Sequence, residues 1–233
     1  SMREQLPELM SLLPEFAGVL ESRAQDFKAI DISNVLHAAA TCEMDGAFQN
    51  KVLPLLAPRL FELAYMRSND FAAQAVANVF WSVATLQKKG APVLELLDTL
   101  PELSKLAMER VDAMIAQDIA NTFWAIAILQ RSGAQVSDLI DILPEMSKVA
   151  VKRADDMTAQ EIANTLWSLA LLRDDLAISD VATDLIPKLV QVTIERTPRW
   201  KERETMLALP MIACALAKLD IQTQQPSLKM VAK

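Results

Sequence analysis

Gln117-Asp-Ile-Ala-Asn-Thr-Phe-Trp-Ala-Ile-Ala-Ile-Leu129 decides the fold, because the chain carries a version of it on either side. Upstream stands Asn69-Asp-Phe-Ala-Ala-Gln-Ala-Val-Ala-Asn-Val-Phe-Trp-Ser-Val-Ala-Thr-Leu86, and downstream Asp156-Met-Thr-Ala-Gln-Glu-Ile-Ala-Asn-Thr-Leu-Trp-Ser-Leu-Ala-Leu-Leu172. Asn78, Asn121 and Asn164 stand 43 residues apart, as do Trp81, Trp124 and Trp167. A period in that range predicts stacked helical units, each of which hides its apolar face against the next. A stacked array builds a long surface rather than one deep pocket, so the expectation is a binding protein and not an enzyme.

Two further anchors keep the same phase. Pro14, Pro58, Pro101, Pro144 and Pro187 recur in similar contexts, and Arg23, Arg67, Arg110, Arg153 and Arg196 follow them. Four residues after each Arg comes a large apolar side chain: Phe27, Phe71, Met114, Met157 and Trp200. Each unit then holds two helices. Helix B carries the Pro and ends near the Arg; helix A carries the Asn and Trp. The predicted B helices span 6–25, 51–67, 93–112, 136–155 and 178–197, and the A helices 28–42, 71–88, 115–131, 158–173 and 201–219. The recurring Pro is expected to start the main part of helix B or to kink it.

The expected fold is all-α: a solenoid, or superhelix, of about five two-helix repeats with a period of about 43 residues. It forms one domain over 1–219, with units near 6–42, 51–88, 93–131, 136–173 and 178–219. Residues 220–233 lack periodicity and are expected to fray. Gly90 and Gly133 follow A helices and suit a left-handed cap. Thr158-Ala-Gln-Glu161 has the spacing of a capping box. In the last unit the spacing is expected to lengthen by about four residues, placing Met211 and Cys214 at the Asn and Trp positions. His37 takes the Trp place in the first.

Composition narrows the function. The chain has 233 residues, 52% of them hydrophobic, with only four Gly and a formal net charge of −7. That balance opposes non-specific nucleic-acid binding, which draws on phosphate neutralisation, without excluding a basic stripe on one face. Cys42 and Cys214 match no disulfide or metal framework and suit a reducing, intracellular compartment. No membrane span is expected, since charged or polar residues interrupt every apolar stretch. Ser1-Met2 looks like a cloning scar ahead of a chosen start. His37 is the single histidine, in an Ala-rich helix, so no catalytic constellation, metal site, cofactor or small-molecule substrate is expected.

Recognition is expected on helix A. In the third copy Ile119, Ala120, Phe123, Ile126 and Ala127 form the core stripe. The face left over is Asp118, Asn121, Thr122 and Ala125, with Ala75, Asn78, Val79 and Ser82 before it and Glu161, Asn164, Thr165 and Ser168 after it. A constant Asn with variable flanks on a repeated scaffold suits recognition of one ligand unit per repeat. The Asn could equally form a structural ladder to the next helix, and the Trp is expected to pack rather than stack on bases. Arg23, Arg67, Arg110, Arg153 and Arg196 form a row able to follow phosphates. They could instead complement helix dipoles, with Asp26, Asp70, Asp112 and Asp155 as neighbours. Lys88, Lys89, Arg131 and Arg173 make a weaker row at the far end of helix A.

The 117–129 stretch resembles the helix A pattern of octotricopeptide-type repeats, and the resemblance covers four A-helix copies well and the whole chain loosely. Proteins of that kind are mostly organellar RNA-binding factors. The resemblance implies single-stranded RNA as the ligand, bases against the positions beside Asn78, Asn121 and Asn164, and a mitochondrial or plastid setting. The alternative expectation is a scaffold that holds a protein or peptide in the groove.

Overall fold

A computed structural model of the chain describes residues 26–41, 70–91, 93–173 and 178–219, together with isolated positions at 15, 18, 19, 22 and 23. Every regular element among the described residues is helical. In chain order these are α1 (Ala29–Thr41), α2 (Ala73–Lys88), α3 (Leu94–Leu97), α4 (Leu100–Glu109), α5 (Ala116–Arg131), α6 (Ser137–Ile140), α7 (Leu143–Arg153), α8 (Ala159–Leu172), α9 (Ile178–Arg196) and α10 (Glu202–Lys218). Helices α2, α5, α8 and α10 begin at 73, 116, 159 and 202. The predicted A helices are therefore found within two residues of their expected ends. The B helices expected over 6–25 and 51–67 lie outside the described residues, apart from those isolated positions, as do Pro14, Pro58, Arg67, Pro92, Cys42 and the tail from 220 onward.

The B helices differ from the single rods expected over 93–112 and 136–155. Each is split into a short lead, α3 or α6, and a main helix, α4 or α7, that opens with Pro101 or Pro144 in its first turn. Proline is favoured there because its missing N–H would have no intrahelical partner anyway. In the last pair Pro187 instead sits inside the continuous α9. After α4, α7 and α9 comes one turn of 3-10 helix, at Val111–Ala113, Ala154–Asp156 and Thr197–Arg199. An extended residue, Met114, Met157 or Trp200, then leads toward the next helix. Met114 and Met157 are buried, and each stands five positions before a buried isoleucine, Ile119 or Ile162, the spacing of a hydrophobic staple.

Local chemistry sets the helix ends. The Lys28 N–H donates to Asp31 at 2.9 Å, Ile115 N–H to Asp118 at 3.2 Å, Thr158 N–H to Glu161 at 2.7 Å and Lys201 N–H to Glu204 at 3.1 Å. Thr158 Oγ1 accepts in return from Glu161 N–H, completing the capping box. Gly90 and Gly133 take φ of 77° and 79°, and the N–H groups of Ala91 and Ala134 reach back to the carbonyls of Leu86 and Leu129. That left-handed turn is the one glycine adopts without a Cβ penalty.

Packing follows chain order. α1 lies on α2, α2 on α5, α5 on α8 and α8 on α10. A second layer covers this row, with α4 against α2, α7 against α5, and α9 against both α7 and α8. The predicted stripe Ile119, Ala120, Phe123, Ile126 and Ala127 is fully buried. Ser147 ties the second layer together, its hydroxyl donating to the Val181 carbonyl at 2.9 Å.

Candidate ligand-binding surface

The row helices run parallel. Lys89 Nζ, just past the end of α2, donates to the Ala40 carbonyl near the end of α1 at 2.7 Å. Arg173 Nη1, just past the end of α8, donates to the Lys218 carbonyl at the end of α10. Matching positions on successive helices also meet: the rings of His37 and Trp81 are 4.9 Å apart between centroids, and those of Trp81 and Trp124 are 6.0 Å apart.

This geometry removes most of the base-facing residues expected from sequence. Ala75, Val79, Ser82, Asp118, Thr122, Ala125, Thr165 and Ser168 are all buried. The reason is that α2, α5 and α8 each have row neighbours on both sides as well as a layer beneath, so the buried arc is wider than one amphipathic stripe. The buried hydroxyls satisfy themselves. Ser82 donates to the Asn78 carbonyl at 2.6 Å, Thr122 to Asp118 at 2.8 Å, Thr165 to Glu161 at 2.8 Å and Ser168 to Asn164 at 2.7 Å. A Ser or Thr bonded to the carbonyl four residues back can sit in an apolar interface without an orphaned group. Asp118 and the half-buried Glu161 are occupied as helix caps. Burial pushes the Asp118 carboxyl up from its usual value, while the Ile115 N–H pulls it back down.

What stays accessible on α2, α5 and α8 is one narrow stripe each. On α2 it includes Gln74, Asn78 and Trp81; on α5 Gln117, Asn121 and Trp124; on α8 Gln160, Asn164 and Trp167. The Gln residues are exposed, and the Asn and Trp are half-buried. Asn34 and His37 continue the stripe on α1. Among the described residues the amides of Asn78 and Asn121 have no hydrogen-bond partner, and Asn164 Oδ1 accepts only from Gln160, its neighbour on the same helix, at 2.8 Å. A structural Asn ladder between helices is therefore not what these side chains form. His37 Nδ1 and Thr85 Oγ1 on the same stripe are buried and likewise lack a partner among the described residues. The Trp residues pack against the core as expected, and their faces are partly taken. Lys88 Nζ lies 5.6 Å from the centre of Trp124 and Lys218 Nζ 4.2 Å from that of Trp167, both within cation–π range.

The Arg row is engaged in the fold. Arg23 pairs with Asp26 at 3.0 Å, and Arg153 stands 4.0 Å from Asp156. Arg196 Nη1 donates to the carbonyls of Asp155 at 3.1 Å and Met157 at 2.6 Å, bridging two successive pairs. Arg110 is half-buried at the corresponding place, and Arg67 lies outside the described residues. Of the acidic neighbours expected for this row, Asp112 instead faces Lys152 at 3.6 Å and Asp155 pairs with Lys188 at 2.9 Å.

The last row helix departs from the expected lengthening. α10 starts 43 residues after α8, and Glu204 caps it as Glu161 caps α8. Leu207 and Pro210 therefore fill the Asn and Trp places, while Met211 and Cys214 fall one helical turn further on. The cap could have revealed this from sequence, since Glu204 repeats the position of Asp118 and Glu161. No cluster of His, Cys, Asp and Glu able to hold a metal occurs among the described residues, and none of the described helices is long and apolar enough to cross a membrane. Comparison of the chain with models of protein families, with curated proteins and with solved structures finds no match in any of the three.

Proposed function

We propose that this chain is a non-enzymatic binding module, a solenoid of about five helical pairs with a 43-residue period, that takes single-stranded RNA across its row of parallel helices. The observation that carries this reading is the repeated Gln–Asn–Trp stripe, in which the Asn78 and Asn121 amides are accessible yet bonded to nothing among the described residues. An amide offers both donors and an acceptor, the set that base edges require. An accessible amide with no partner in the fold can exchange its water for a ligand without breaking a bond within the protein. The resemblance of 117–129 to octotricopeptide-type repeats points the same way. The base-facing set becomes Gln74, Asn78, Trp81, Gln117, Asn121, Trp124, Gln160, Asn164 and Trp167.

Fluorescence polarisation with a labelled mixed-sequence single-stranded RNA at low salt tests the reading. Saturable binding at micromolar protein is expected. Absence of binding by protein whose helical fold is verified by circular dichroism overturns it. A second reading, a protein or peptide scaffold, is favoured by α10, where Met206 and Leu207 are 69% and 60% exposed. It predicts that Met206→Ser with Leu207→Ser abolishes capture of a peptide partner while leaving RNA binding unchanged.

A further inference from the structure

The two rims of the row differ in charge. The ends where the row helices begin are mixed: the capping Asp31, Asp118, Glu161 and Glu204, and Asp112, Asp155 and Asp156 of the preceding 3-10 turns, stand among Lys28, Arg199, Lys201 and Arg203. The ends where they finish carry Lys88 and Lys89 on α2, Arg131 on α5, Arg173 after α8 and Lys218 on α10. Asp174 and Asp175 lie outside the described residues. The Gln–Asn–Trp stripe between the two rims is uncharged.

Building on the RNA reading, we infer that the phosphates of the bound strand follow the cationic rim at the helix C-terminal ends, through Lys88, Arg131 and Lys218, and not the Arg row. The Arg row lies at this mixed rim, where Arg196 is bonded to the carbonyls of Asp155 and Met157, and Arg23 and Arg153 have Asp26 and Asp156 beside them. A phosphate there would compete with these carboxylates and carbonyls for the guanidinium groups. At the opposite rim the helix dipole leaves about half a negative charge on each C-terminal end. One full cation at or just past the end of α5, α8 and α10 exceeds that, and α2 has two, while α1 has none in its last turn. Lys89 and Arg173 are committed to neighbouring carbonyls. Lys88 and Lys218 rest on indole rings, interactions weak enough to exchange for a phosphate at little cost. With phosphates on this rim, the bases of the strand fall inward over Trp and Asn.

The test compares Lys88→Gln, Arg131→Gln and Lys218→Gln, singly and together, with Arg153→Gln as the contrasting variant. Gln keeps much of each side-chain stem, so the fold should survive, and circular dichroism checks it. The probe is the same labelled mixed-sequence RNA, titrated across a potassium chloride series. For single strands the slope of log affinity against log salt falls by about 0.7 for each phosphate that the protein no longer neutralises. The triple rim variant is expected to lose about two units of slope, and Arg153→Gln none. Wild-type protein that binds RNA while the rim variants keep its slope overturns the inference and leaves the RNA reading standing. So does a folded Arg153→Gln that lowers the slope. A wild-type protein that binds no RNA removes both.

Discussion

Replacing Asn78, Asn121 and Asn164 together by Ala separates two roles that sequence alone leaves equivalent. If the Asn side chains linked neighbouring helices, each substitution would strand a buried partner at about 1–3 kcal/mol, or about 3–9 kcal/mol for the three. That is most of the stability of an ordinary domain, about 5–15 kcal/mol. In the structure the amides of Asn78 and Asn121 have no partner among the described residues, and Asn164 gains one bond from Gln160. Removing that bond costs about 0.5–1 kcal/mol on the surface of α8. Against it, Ala is the better helix former by up to about 0.7 kcal/mol at each site. The sum lies between no change and a gain of about 1.5 kcal/mol. Urea unfolding followed by circular dichroism reads this directly. With a slope of about 1–3 kcal/mol/M, the midpoint should hold or rise by up to about 0.5–1.5 M. A fall of more than about 1 M with unchanged slope would refute the argument and restore the Asn ladder. The measurement needs no knowledge of the ligand, and the same variant should lose RNA affinity by about tenfold or more.

Other perturbations check the scaffold. Phe123→Ala removes a ring with no exposed surface at the centre of α5, so urea unfolding should show a loss of about 3–5 kcal/mol. Thr158→Ala deletes the side-chain acceptor of the α8 cap and should cost about 1 kcal/mol in the same assay. The Asp118 carboxyl is raised by burial, so the folded state holds its proton more tightly than the unfolded chain does. Its ionisation therefore costs stability above the folded value, and the cost disappears as pH falls below the unfolded value. Asp118→Asn should match or exceed wild type in urea midpoint at pH 7, and the difference should shrink toward pH 4. A larger difference at pH 4 would reverse the sign of this argument.

The spans of α2, α5, α8 and α10 were legible in sequence, within two residues, because local signals mark both ends: Glu161 three residues after Thr158, and Gly90 and Gly133 beyond the last turn. The core stripe of α5 was legible for a similar reason, since Ile119, Phe123 and Ile126 keep helical spacing. Pro101 and Pro144 also announced a helix start, though not the break that separates α3 from α4 and α6 from α7.

Which polar residues face outward was not legible. One helical repeat pattern reports a buried face and a free face, but a helix held between two neighbours and a second layer buries most of its circumference. Thr122 and Asn121 are adjacent in sequence and equally polar by type. Only packing sends Thr122 inward, where its hydroxyl finds the Asp118 carbonyl, and leaves Asn121 accessible. The Arg row shows the same limit, because the partners of Arg196 come from the preceding helical pair and not from its own helix. By itself, then, the sequence determined α1, α2, α5, α8 and α10, their ends and their spacing, which depend on interactions within a few residues. The tertiary structure decided which side chains remain available to a ligand, because that depends on what the neighbouring helices cover.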